Sequence, residues 1–129
     1  MGALRALGWV ASGVLSARPG LRRPSQLAMT TPIVVRIDPD LWALIPGYLA
    51  NRQHDLVQLP GLLEAADWLA LAFIGHGMKG SGGSYGFDAI SEYGARIERA
   101  AQTAQGDVVR GVAAELADYL ARIETLPDT

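Results

Sequence analysis

The sequence predicts an all-α fold, an antiparallel four-helix bundle behind an extended or disordered N-terminal leader, and three observations predict it. Four successive segments space their apolar residues by three and four, the period of a helix with one buried face. Glycine, proline and capping residues separate those segments at short intervals, which favours antiparallel neighbours. The one β-branched run, Pro32 to Ile37, has no convincing strand partner elsewhere in the chain.

Residues 1–30 are expected to be a leader and residues 31–129 the bundle. The leader carries Arg5, Arg18, Arg22 and Arg23 and no acid, whereas the rest has seven basic and thirteen acidic groups, a balance of −6. The leader reads as unstructured chain or as an upstream start-site artefact with Met29 as the working start; a targeting peptide is the third reading. Ala6 to Leu15 is apolar like a short signal-peptide core, but it is well under the roughly 18 residues that span a bilayer.

Pro32 to Ile37 is read as an extended lead-in, because an unpaired strand is not stable alone. Asp38-Pro39 then starts the first helix, an N-cap candidate with proline at the first helical position. Leu41, Leu44, Ile45, Tyr48 and Leu49 carry its stripe, Pro46 is expected to kink it, and Pro60-Gly61 to interrupt it. Asp67 caps a second helix running through Trp68 and His76 towards Ser84. The third begins near Phe87 with Ile90, Tyr93, Gly94, Ile97 and Ala101 on one side. Gly106-Asp107 ends it and caps the fourth, in which Val109, Val112, Ala113, Leu116, Leu120 and Ile123 keep the same period.

The chain has 129 residues, 50% hydrophobic and 19% charged, enough for one domain with a real core. A formal net charge of −2 offers no electrostatic argument for nucleic acid. Zero cysteines exclude disulfides, thiol nucleophiles and thiolate metal sites. The two histidines, His54 and His76, stand at no metal-ligand spacing, and His54 falls in the polar run Asn51 to Asp55. Trp42, Trp68 and the tyrosines read as core or interface.

Residues 75–86 stand apart. Six of the fifteen glycines lie there, together with Lys79, the only lysine beside ten arginines. As a helix, the stretch puts Leu71, Ile74, Gly75, Met78, Gly82 and Tyr85 on an apolar stripe and His76, Lys79, Gly80 and Gly83 opposite. Each interior glycine costs roughly 0.8–1 kcal/mol relative to alanine. Such a cost is accounted for if another molecule comes close to the backbone here.

These residues resemble the histidine-containing phosphotransfer (HPt) domain of phosphorelays. Its pattern sets Lys-Gly three and four residues after the phosphorylated histidine, glycine at ten, and a hydrophobic residue followed by Glu or Gln at twenty-one and twenty-two. Here these are Lys79-Gly80, Gly86 and Ile97-Glu98, and the resemblance extends from about Asp38 to Ile123. It implies a cytoplasmic phosphoryl carrier without kinase activity of its own. His76 would take the phosphoryl group from a phosphoaspartate of a receiver domain, or from a sensor histidine kinase, and pass it to another receiver. It also implies that Lys79 stabilises the phosphoryl charge, that Glu98 orients His76 through its second ring nitrogen, and that Gly80 and Gly83 leave room for the partner. No cofactor is expected on this chain, Mg2+ being expected in the partner receiver; neither nucleic acid nor membrane is expected as a partner.

The residues add readings that the resemblance does not supply. Leu69 and Phe73 project within about 60° of His76 on an ideal helix. They are either part of a docking patch, with small Ala72 beside them, or buried, for example under Pro32 to Ile37. Ser81 and Ser84 are expected to bond their own helix backbone rather than phosphoryl oxygens. Two rival functions are open. A phosphate-loop nucleotide binder would need Leu69 to Ile74 as a strand, and its lysine would precede Ser or Thr directly, whereas here Lys79 precedes Gly80 and Ser81. A non-catalytic adaptor that binds a receiver or kinase would look nearly the same in sequence.

Overall fold

The structure is a computed structural model and describes residues 31–128; the expected leader over residues 1–30 lies outside the described residues. Ile33–Ile37 forms a strand, β1, with Ile33, Val35 and Ile37 turned inward and Val34 and Arg36 outward. Contrary to the expectation of a lead-in without a partner, β1 pairs in parallel with β2, Ile123–Pro127, from Ile33 opposite Ile123 to Ile37 opposite Pro127. The last helix therefore ends at Arg122, and Ile123 turns to extended geometry. The two strands tie together the two ends of the bundle segment, and Ile37 is fully buried against it.

Asp38 caps a 3₁₀ turn, Pro39–Leu44, by accepting the Asp40 N–H. Helix α1, Ile45–Glu64, begins only after it, so Pro46 lies in the first helical turn. Proline is harmless there, since the first N–H groups of a helix have no intrahelical acceptor; the expected kink at Pro46 is replaced by a helix start. Nor does Pro60-Gly61 interrupt α1, which continues to Glu64. Leu59 and Leu63 are buried on either side of that proline, so tertiary packing outweighs its local cost of about 3 kcal/mol.

Helix α2 spans Trp68–Ser81, with the Asp67 carboxylate accepting the Ala70 N–H at 3.1 Å as the expected N-cap. A short 3₁₀ turn, Gly83–Tyr85, follows and ends at Gly86, whose φ of 98° is open to glycine and strained for other residues. Helix α3, Asp88–Gln102, and helix α4, Gly106–Arg122, complete the bundle. Gly106 and Asp107 stand inside the first turn of α4, with Gln105 as its N-cap. Leu59, Leu71, Met78, Ile90, Ile97 and Leu116 are buried between the four helices; each such side chain stabilises the fold by roughly 1.5–3 kcal/mol.

The closest helix pair is α2 with α3, and glycine makes it so. A Cβ placed on Gly75 would sit 2.6 Å from the Glu98 backbone nitrogen and 2.7 Å from the Gly94 carbonyl; one on Gly94 would sit 2.6 Å from the Gly75 carbonyl. Gly82 is similarly filled by Ser91 and Phe87. The glycine content of the second helix thus has two causes. Gly75 and Gly82 admit the chain's own third helix, while positions 77 and 80 face open space, with nothing within 4 Å of a would-be Cβ.

Candidate functional site

The glycine contact decides where the chemistry sits. With the Glu98 backbone pressed on Gly75, the Glu98 side chain runs along α2 and meets the next residues on that face. Its Oε2 lies 2.9 Å from His76 Nδ1, and its Oε1 accepts a 3.0 Å hydrogen bond from Lys79 Nζ. The structure thereby brings together three residues that the sequence placed 22 positions apart. The His76 side chain is 69% exposed and that of Lys79 50%, whereas Glu98 is only 16% exposed.

Electrostatics fixes the proton arrangement. The hydrogen bond from Lys79, and then that from His76, hold the Glu98 carboxyl below its ordinary value. An ionised carboxylate only accepts, so His76 Nδ1 carries the hydrogen, and in the neutral ring the lone pair belongs to Nε2. A largely covered anion thus leaves the Nε2 lone pair of an exposed imidazole facing outward, and an ammonium stands one helical turn away.

The surroundings divide between open and filled. Gly80 leaves clear space beside His76. Gly83 lies just past the end of α2, where its N–H donates to Ser91 Oγ at 2.8 Å and Asp88 Oδ1 comes within 3.3 Å of a would-be Cβ. Ser91 also donates to the Lys79 carbonyl at 3.0 Å, so it closes the C-terminal end of α2 below the site. The sequence reading did not single out Ser91. Its signal was the spacing Ser91, Gly94, Glu98, one ridge of α3 that faces α2 throughout.

Ser81 donates to the Gly77 carbonyl of its own helix at 2.8 Å, as expected, and also meets the Tyr48 hydroxyl at 2.9 Å. Arg52 and Asp55 are less solvated than their polar run suggested: they pair at 2.8 Å, with the Arg52 guanidinium 4.6 Å over the Tyr48 ring. His54 stays on the exposed side of α1, with Nε2 2.8 Å from the Gln58 amide nitrogen.

Leu69 and Phe73 are 84% and 79% exposed, so the alternative that Pro32 to Ile37 covers them does not hold. They border a groove between α1 and α2 lined also by Gln58, Leu62 and Ile74. Leu69 to Ile74 is helical throughout, which removes the strand that a phosphate-loop reading requires. Among the described residues there is no cluster of metal-ligating side chains and no helix long and apolar enough to cross a membrane.

A family model for the Hpt domain matches residues 44–126, a stretch that contains all four helices and His76, Lys79 and Glu98. Comparisons with curated proteins and with solved structures return no match. Hpt domains carry out histidine phosphotransfer in phosphorelays and interact generally with receiver domains and histidine kinases of two-component systems. With more than half of its length matched, the chain belongs to the Hpt domain family.

Proposed function

We propose that His76 is the phosphoacceptor: Nε2 takes a phosphoryl group from a receiver phosphoaspartate, or from a sensor histidine kinase, and passes it to another receiver. The observation that carries this reading is the exposed imidazole whose Nδ1 is held on an ionised, largely covered carboxylate. Nucleophile and orienting group are in place without a partner, while the Mg2+ belongs to the receiver, and the exchange takes place in the cytoplasm. Incubation with a phosphorylated receiver is expected to label this chain with the acid-labile, alkali-stable behaviour of phosphohistidine. Binding without label would instead support the adaptor reading.

Lys79 neutralises charge on the equatorial phosphoryl oxygens in the transition state. Lys79→Ala should slow transfer roughly 10- to 100-fold, with little change in Tm because the ammonium is half exposed. An unchanged rate would remove Lys79 from the mechanism.

Gly80, Leu69 and Phe73 form the proposed docking surface, with Gly83 at its edge packed against Ser91 and Asp88, Gly80 giving clearance and the two apolar side chains the grip. Large exposed apolar groups beside a reactive residue are what a transient partner can desolvate. Phe73→Ser should raise the receiver Kd by about tenfold or more, a loss on the order of 1.4 kcal/mol. The Tm should hold, since Phe73 is 79% exposed; a collapse in Tm with unchanged affinity would overturn the docking role.

A further inference from the structure

The outer face of the strand pair has no part in phosphoryl transfer, and it is left half-finished as a piece of structure. β1 and β2 run parallel; parallel strands occur almost only in sheets covered on both faces, and a two-stranded ladder is marginal by itself. Only the inner face is covered here. Ile37 is fully buried, and Ile33, Val35 and Ile123 pack against the core. On the outer face Val34 is 52% and Leu126 38% exposed, with Arg36 and Glu124 turned to the same side. Among the described residues, no ion pair joins Arg36 or Glu124 to another side chain.

The register arranges these four side chains in a way that selects a partner. Val34 lies opposite Glu124, and Arg36 opposite Leu126. With neighbouring strands about 4.8 Å apart and alternate residues of one strand about 6.6 Å apart, they mark the corners of a near-square, with the aliphatic groups on one diagonal and the charges on the other. We infer that a second copy of this chain covers this face, in a dimer whose two-fold axis runs along the Val34–Leu126 diagonal. That axis lays Val34 on Val34, Leu126 on Leu126, and Arg36 of each copy on Glu124 of the other. Three other axes can lie across the square. Along the second diagonal like charges meet, and along or across the strands each charge meets an aliphatic group. Only one symmetric pairing therefore satisfies all four side chains.

Other ways of covering the face fit less well. Residues 1–30 carry Arg5, Arg18, Arg22 and Arg23 and no acid, so they offer Arg36 no counter-charge. Pairing at the edge of β2 is blunted by Pro127, which has no N–H to give, and by charged Glu124. The contact is small, bordered by Trp42 in its groove with Thr125 of β2, so association is weak and reversible. None of these residues shares the hydrogen bonds of His76 and Glu98 or lines the groove of Leu69 and Phe73, so the dimer leaves both phosphoacceptors free.

Sedimentation equilibrium of the full chain tests this. The mass should pass from one chain to two between about 1 µM and 1 mM, and return toward one chain in high salt, which screens exposed pairs. Arg36→Glu or Glu124→Arg sets like charges opposite each other at two points, so each variant alone should associate at least tenfold more weakly. An equimolar mixture of the two variants restores both opposite-charge pairs and should dimerise like the wild type. Both positions are exposed, so Tm and labelling of His76 should match the wild type in each variant. A wild-type chain that stays monomeric throughout would overturn the inference and assign the face to residues 1–30 or to a different protein. A dimer indifferent to both charge reversals, or a mixture that associates no better than its components, would overturn it as well.

Discussion

His76→Gln is expected to abolish phosphoryl acceptance while leaving the fold intact. The ring is 69% exposed and its hydrogen-bond partner is a single carboxylate, so its removal opens no cavity and strands no buried donor. Surface substitutions of that kind usually stay within about 0.5 kcal/mol. Glutamine has no nucleophilic nitrogen, and its amide hydrogens can still donate to Glu98, so the anion keeps both a neutral donor and Lys79. Label from a phosphorylated receiver should drop to background, with receiver affinity within about twofold of wild type. The measurement also separates two readings of the same surface. A carrier loses pathway output with its phosphoacceptor, whereas an adaptor keeps it. Label that survived the substitution would send the search to His54, which stands on α1 beside Gln58 without the lysine and carboxylate geometry of His76.

Much of the site was legible because it is helical. Once residues 68–81 are read at 3.6 per turn, His76 and Lys79 must share a face and Met78 must be buried, and both hold. Glu98 was reachable only through family spacing, since its approach to His76 depends on how two helices cross. The packing that sets this crossing was only partly legible: periodicity puts Gly75 and Gly94 on the inward stripes of their helices, but with no side chain they do not say how closely the partner helix approaches. The helix-propensity cost of the glycines in residues 75–86 was visible, but its cause was assigned to a visiting molecule, whereas at Gly75 it lies in α3 itself. The strand pair was missed for a related reason. Ile123 continues the helical period of α4, and its partner lies some ninety positions upstream, beyond any local pattern. The prolines erred in the other direction, because local propensity does not know that Pro46 falls in a first turn or that Leu59 and Leu63 anchor the helix around Pro60.

Gly94→Val should then be the most destabilising single substitution near the site. The new Cβ would lie 2.6 Å from both the Gly75 carbonyl and Met78 Cβ, and closer still to the Lys79 backbone nitrogen. None of these is the free end of a flexible side chain, so α2 and α3 must separate. Overpacking of this kind costs about 3 kcal/mol or more, which for a domain of this size lowers Tm by roughly 10–20 °C. The same separation moves Glu98 away from His76 and Lys79, so molecules that remain folded should transfer phosphate more slowly than the wild type. Gly77→Ala is the matched control. It lies on α2, the helix against which Gly94 packs, with open space around its would-be Cβ, and should raise stability by about 0.5–1 kcal/mol through helix propensity. Opposite signs at a glycine of α3 and a glycine of α2 follow only if α2 touches α3 at one face and is open at another. A Gly94→Val domain with wild-type Tm would mean that the two helices do not meet as described, and the route from glycine packing to the placement of Glu98 would fail with it.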